Sequence, residues 1–238
     1  MAARSVRSLL WGLLAVVLAC LGVTTIVSLR SFGVQTFSLP SGSMEPTLLP
    51  GDYIAVNKSS YGYSRYSLPF AYPLFQGRIF AAAAQRGDLV VFRVPRLDQD
   101  YVKRIIGLPG DRVQMRGGQL YINGKAVARE RAADFALNEG PGFPQHVRRW
   151  RETLPNGVSY ETLDLEDNGP LDDTREFTVP PGNYFVLGDN RDNSLDSRMP
   201  EQLGYIPAEN LIGRIVMIFF SVDANGVPRT DRIGLVPQ

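Results

Sequence analysis

A single N-terminal transmembrane helix followed by a mainly β domain, carrying a smaller inserted β subdomain, is the fold class this sequence predicts. The first observation behind it is an apolar run, Leu9 to Leu29, without a charged residue. As a helix it would be about 30 Å long, the thickness of a bilayer core. The second is a series of short apolar or alternating stretches set between Gly, Pro, Asn and Asp turns, in a chain with 23 Gly and 17 Pro. The third is that no long 3.6-residue period occurs outside the first run, so mostly antiparallel strands are expected.

Taken in order, Arg4 and Arg7 precede the apolar run and Arg30 follows it. The positive-inside rule then keeps residues 1–8 cytoplasmic, makes 9–29 the anchor and exports the remainder. A removable signal peptide is the competing reading, because Val17-Leu18-Ala19-Cys20 loosely fits a lipoprotein-like site. The run continues past Cys20 for longer than a signal h-region needs, which favours a retained anchor. Val34–Leu39 alternates as a strand. Asp52–Lys58 is a strand entered through Pro50-Gly51, and Leu89–Val94 one entered through Arg86-Gly87-Asp88. Tyr101–Ile106 closes on Gly107-Leu108-Pro109-Gly110-Asp111. Arg112–Met115 and Gln119–Ile122 form a hairpin about Gly117-Gly118, and Asn123-Gly124 opens another turn. Thr178–Leu187 and Ile212–Phe220 complete the β-rich part.

Two segments differ. Ala128–Glu176 is polar, with basic Arg148, Arg149 and Arg151 against acidic Asp164, Glu166, Asp167, Asp172 and Asp173. It is expected to be an inserted subdomain (128–176) with a Trp150–Leu154/Val158–Leu163 hairpin and solvated charged faces, carried by a domain of 30–127 and 177–238. Ser59–Ala84 holds seven aromatics with Arg65 and Arg78 as its only charges. It reads either as a long hairpin packed on the core or as a membrane-surface loop.

Composition narrows the chemistry. A net charge of +1 gives no field for nucleic acid. The one cysteine lies in the apolar run and there is one histidine, so a disulfide, cysteine catalysis and a transition-metal site are not expected in the soluble part. Ser43, in Pro40-Ser41-Gly42-Ser43-Met44-Glu45-Pro46, therefore has no evident imidazole base if it is a nucleophile. A desolvated lysine is the remaining group able to take its proton. Lys103 shares a strand face with Tyr101 and Ile105, which would supply apolar surroundings, although taken alone it reads more readily as an exposed edge lysine. Lowering its pKa from about 10.4 to about 8 would cost roughly 3 kcal/mol, which a packed fold can absorb. The run from Gly188 to Arg198 holds three aspartates, two arginines, two asparagines and two serines, the composition of an ordered hydrogen-bond lattice.

These segments, together with Gly51-Asp52 through Lys58, Arg86 through Phe92 and Gly107 through Asp111, resemble the boxes of bacterial type I signal peptidases in the same order. The likeness spans most of residues 36–222. One departure is Met199-Pro200-Glu201-Gln202-Leu203-Gly204, where that family commonly has Trp-Gly. The resemblance implies Ser43 as nucleophile and Lys103 as general base. It implies that Ser41 and the Ser43 N–H form the oxyanion hole, that Ser194 orients the lysine amine and that Asp196 supports the loop. Asp189, Arg104 and Arg198 would be ion-pairing residues around the site. Phe37, Leu39, Met44, Tyr101 and Val102 would line shallow pockets for small residues at −1 and −3. Signal peptides of exported preproteins and membrane lipid would be the partners, no cofactor or metal would be needed, and the domain would lie on the periplasmic side of the bacterial inner membrane. Residues 30–42 reach at most about 45 Å, so Ser43 would work close to that surface. Two other readings share parts of the pattern, a self-cleaving Ser/Lys repressor-type peptidase and an inactive anchored β domain that binds exported chains. The anchor argues against the first and the intact Ser43 and Lys103 against the second.

Overall fold

In the computed structural model the described residues are 11–22, 25, 33–68, 75–137 and 146–238. Residues 11–22 are helical, and their large apolar side chains are open on every side, from Trp11 to Leu21. Among the described residues no helix is long and apolar enough to cross a membrane. The expected anchor, 9–29, falls in part outside the described residues, at 9, 10, 23, 24 and 26–29.

The main sheet has seven strands. These are β1 (Val34–Ser38), β2 (Asp52–Asn57), β3 (Leu89–Val94), β4 (Gln99–Gly107), β12 (Asn183–Leu187), β13 (Ile206–Pro207) and β14 (Leu211–Ser221). Their order is β1-β2-β14-β3-β4-β12-β13, and every pairing is antiparallel. The uninterrupted apolar start of β3 is explained by burial on both faces. Leu89 and Val91 pack with Leu39, Met44 and Ile54, whereas Val90 and Phe92 pack with Ile105, Tyr184 and Val186. Register sets Lys103 of β4 opposite Val90 and sets Arg104 opposite the last residue of β12, Leu187. The chain leaving β12 thus passes directly beside the two basic residues.

Two small sheets cover one end. β5 (Arg112–Arg116), β6 (Gln119–Ile122), β7 (Lys125–Ala126) and β11 (Phe177–Thr178) form one, in the order β11-β5-β6-β7. Its hairpin turns are Gly117-Gly118 and Asn123-Gly124, all four residues at positive φ as two-residue turns require. β8 (Ala128–Ala136), β9 (His146–Thr153) and β10 (Ser159–Asp164) form the other, in the order β10-β9-β8. Val113, Met115 and Leu120 share a buried cluster with Leu154 and Tyr160, and with Phe185 and Leu187 of β12, which joins both small sheets to the large one.

Three expectations need revision. The single strand 178–187 is two, because Pro180-Pro181-Gly182 breaks it and sends β11 and β12 to different sheets. β8 is a nine-residue strand that its charged, mostly exposed sequence concealed. The charges of 128–176 are not simply solvated. Asp164 accepts from Arg129 at 2.9 Å and from Arg148 at 2.8 Å, while Glu161 accepts from Arg149 at 3.0 Å. In the 59–84 segment, Tyr61 is buried with its hydroxyl on Asp88 at 2.8 Å. Arg78 there donates to the carbonyls of Tyr61, Gly62, Ala208 and Leu211. Those residues pack on the core, Phe80 stays exposed, and residues 69–74 lie outside the described residues.

Phe92→Ala empties a site buried on all sides, and urea unfolding should report a loss of about 3–5 kcal/mol. Glu130→Ala, on the exposed β8, should change stability by less than about 0.5 kcal/mol.

Candidate active site

Ser43 stands in the turn between β1 and β2. The turn closes through Glu45 N–H to Gly42 O (3.1 Å) and Leu48 N–H to Met44 O (2.9 Å). Met44 and Leu48 are sunk in the core and act as two apolar plugs. The half-exposed Ser43 directly precedes the first of these plugs and so sits on an anchored turn.

Lys103 comes from the middle of β4 and is only 2 % exposed. Its Nζ lies 2.6 Å from Ser43 Oγ and donates to Val102 O at 2.9 Å. Burial pushes its pKa down from the ordinary 10.5 to about 8; Asp196 and Asp189 oppose that shift, and Arg198 adds to it. The amine can thus be neutral near physiological pH, and a neutral amine at 2.6 Å can accept the Ser43 hydroxyl proton.

Residues 188–198 wall the other side. Arg104 grips Asp189 with two hydrogen bonds, 2.8 and 2.7 Å, and Thr47 Oγ1 donates to the same carboxylate at 2.5 Å. Arg198 grips Asp196 in the same two-pronged way, both at 2.9 Å. Burial alone would raise the Asp196 pKa, but Arg198 and the Gly188 N–H outweigh it and the net shift is downward. Both carboxylates are therefore satisfied by guanidinium groups before they can pair with Lys103. Among the described residues no cluster of His, Cys, Asp and Glu is arranged to hold a metal.

Two expected contacts are arranged differently from the expectation. Ser194 is buried beside the site, yet its Oγ has no hydrogen-bond partner of normal geometry and does not bond the Lys103 amine. It is pressed against Gly188, where an added Cβ would lie 2.2 Å from Ser194 Oγ and 2.6 Å from Ser43 O. Ser41 Oγ accepts from the Ser43 N–H at 3.2 Å, so the two expected oxyanion donors face each other. An oxyanion would have to take the place of this contact, with the exposed Ser41 hydroxyl turning to donate.

A cleft of about 720 Å³ opens over Ser43 and Lys103. Phe37, Leu39, Met44, Tyr101 and Val102 all line it. Pro170, Leu171 and Leu195 line it as well. Nothing in the sequence distinguishes Leu171 from its polar neighbours, and only the fold brings it over the cleft. Sequence reasoning also passed over Asn190 and Arg191, although both stand in the run whose composition marked it as a lattice.

The family model described as signal peptidase, peptidase S26, matches residues 9–220. Signal peptidase I of Rickettsia akari (strain Hartford) is 43% identical over 206 residues, 83% of this chain and 75% of its own. Signal peptidase I of Rickettsia canadensis (strain McKiel) is 45% identical over 202 residues, 81% of this chain and 74% of its own. A solved signal peptidase I from Enterococcus faecalis V583 is 32% identical, covering 56% of this chain and 97% of its own. Its TM-score of 0.33 is too low for the superposition to bear on the fold.

The packing at Gly188 makes a sharp test. Gly188→Ala must separate Ser194 and the Ser43 carbonyl from the β12 exit, and a shift of about 1 Å at such a site lowers turnover by about 100-fold. Steady-state kinetics alongside a thermal melt should show that loss in a protein that still unfolds cooperatively.

Proposed function

This chain belongs to the signal peptidase family, peptidase S26, and as a type I signal peptidase it is a serine endopeptidase; we propose that Ser43 and Lys103 are its nucleophile and general base. The observation that carries the proposal is a lysine only 2 % exposed with its amine 2.6 Å from a serine hydroxyl, and burial pushes that amine toward its neutral form. Lys103 takes the Ser43 proton as Oγ attacks the carbonyl after a small −1 residue. The Ser43 N–H and Ser41 hydroxyl hold the resulting oxyanion. Lys103 then gives its proton to the leaving amine, the N-terminus of the mature protein. A water, deprotonated by Lys103, hydrolyses the acyl-enzyme and restores Ser43.

The remaining assignments follow from the same reading. Asp189, Asp196, Arg104 and Arg198 hold the loop while keeping carboxylates off the amine. Ser194, which packs against Gly188, is the residue that the family resemblance assigns to orienting the Lys103 amine. Phe37, Leu39, Met44, Tyr101 and Val102 take small side chains at −1 and −3 of the signal peptide, and no cofactor takes part. Residues 9–29 anchor the chain in the bacterial inner membrane, with residues 1–8 cytoplasmic and the catalytic domain (30–127 and 177–238, with 128–176 inserted) on the periplasmic side. The uncharged run and the open apolar surface of helical residues 11–22 support that placement. Lipid is accordingly a partner.

Ser43→Ala and Lys103→Arg should each lower cleavage of a preprotein with Ala at −3 and −1 by about three orders of magnitude or more. Arginine keeps the charge and cannot lose its proton, so substantial activity in Lys103→Arg would sink the dyad. The kcat/KM of the intact enzyme should rise with pH through about 8, as the lysine becomes neutral. Stability carries the same sign. Because the folded pKa is lowered, burying the charged amine costs most below about 8, and the cost fades as pH approaches 10.5. Lys103→Met should therefore be inactive yet more stable near pH 7, by up to roughly 3 kcal/mol, and its advantage should shrink at alkaline pH.

A further inference from the structure

We propose that Asn190 is a positioning residue for catalysis, tying the turn that carries Ser43 to the inserted sheet and so holding Ser43 in line with Lys103. The inference rests on the Ser43–Lys103 reading and extends it to a residue that touches neither hydroxyl nor amine.

Asn190 is wholly buried. Its backbone N–H donates to Ser43 O at 3.2 Å, and its side-chain Nδ2 donates to Gly42 O at 3.1 Å and to Glu45 Oε2 at 3.4 Å. Three contacts from one residue therefore fall on the backbone and flank of the nucleophile's own turn. The amide is the group suited to this. It supplies two N–H donors without charge, next to the buried Glu45 and within a few residues of Asp189 and Asp192.

Asn190 is in turn held from behind. Leu163 N–H donates to Asp189 O at 2.9 Å and Arg191 N–H to Leu163 O at 3.0 Å, which splices this short segment onto β10. Arg191 inserts into the small sheet and meets Glu152 of β9 in two hydrogen bonds, 3.0 and 2.5 Å, both partners nearly free of solvent contact. Tyr160 of β10 closes that group, donating to Glu152 at 2.8 Å and accepting from Arg191 at 3.1 Å. A buried ion pair of this kind adds little net stability, but it fixes geometry strongly, because breaking it strands a charge. The path from insertion to nucleophile is thus Glu152, Arg191, Asn190, then the backbone of Ser43.

The positioning role has a signature beyond loss of rate. The charged groups bearing on Lys103 are Asp196, Asp189 and Arg198, all from the loop after β12. Its neighbour across β3, Val90, is apolar. Burial is the largest influence on the amine. If the Ser43 turn loosens, water reaches Lys103, its pKa moves back up, and the enzyme needs a higher pH to work.

The test is kinetics of the full chain in detergent with a preprotein bearing Ala at −3 and −1, comparing wild type with Asn190→Ala, Asn190→Ser and Glu152→Gln. The expected result for Asn190→Ala is a fall in kcat of about 10- to 100-fold with KM within about twofold. The acidic limb of its pH profile should lie above the wild-type position, and Asn190→Ser and Glu152→Gln should show smaller displacements in the same direction. Unchanged kcat in Asn190→Ala would overturn the proposal. So would a fall in kcat with the acidic limb unmoved, and so would loss of a cooperative melt in both Asn190 variants, since Asn190 would then serve the fold as a whole. A Ser43→Ala arm keeps the outcomes separate, because activity there would refute the nucleophile assignment whatever Asn190 does.

Discussion

Everything in this structure answers to one unfavourable act, the burial of an amine. Lys103 gives up almost all contact with water, at a cost of roughly 3 kcal/mol near neutral pH, and what is gained is a base with pKa about 8 against a serine hydroxyl. Its environment contains two forces that could undo this. Asp189 and Asp196 each attract a proton to the amine. Both are held in two-pronged contacts by arginines, Arg104 and Arg198. The arginine–aspartate pairs that brace the loop are equally a means of keeping carboxylates from capturing the lysine.

The fold supplies the remaining constraints through register and packing. β4 brings Lys103 and Arg104 to the place where β12 ends, so the loop that follows must cross next to both. Gly188 lets that crossing come within contact of Ser194 and the Ser43 carbonyl. From the other direction, Met44 and Leu48 plug the serine turn into the core. The small sheets sit on the same apolar cluster as Phe185 and Leu187, so their geometry is coupled to the end of β12 rather than hanging free of it.

Much of this is legible in sequence because it is local. The turns at Gly117-Gly118 and Asn123-Gly124 and the doubly buried Leu89–Val94 strand can each be read from a few neighbouring residues, whereas the pairing of Ser43 with Lys103 rests on the ordered resemblance of whole segments. The Pro180-Pro181-Gly182 break is likewise local, since two prolines and a glycine cannot continue a central strand. The β8 strand was hidden because its charges are compensated by residues on other strands, Arg129 by Asp164 among them. The Glu152–Arg191 pair and the placing of Leu171 over the cleft depend on contacts between distant segments, which no local pattern encodes. Ser194 is a subtler case: the composition marks its loop, but the direction of a single hydroxyl depends on packing against Gly188.

The chain has only three lysines, Lys58, Lys103 and Lys125, which makes the central claim open to direct measurement. Isotope-labelled lysine side chains can be followed by NMR across pH 6 to about 11, the range that brackets both lowered and ordinary lysine pKa values, with Lys103→Arg identifying the Lys103 resonance. The account predicts that this resonance titrates near 8. Titration of the Lys103 resonance above 10, at the ordinary lysine value, would contradict it.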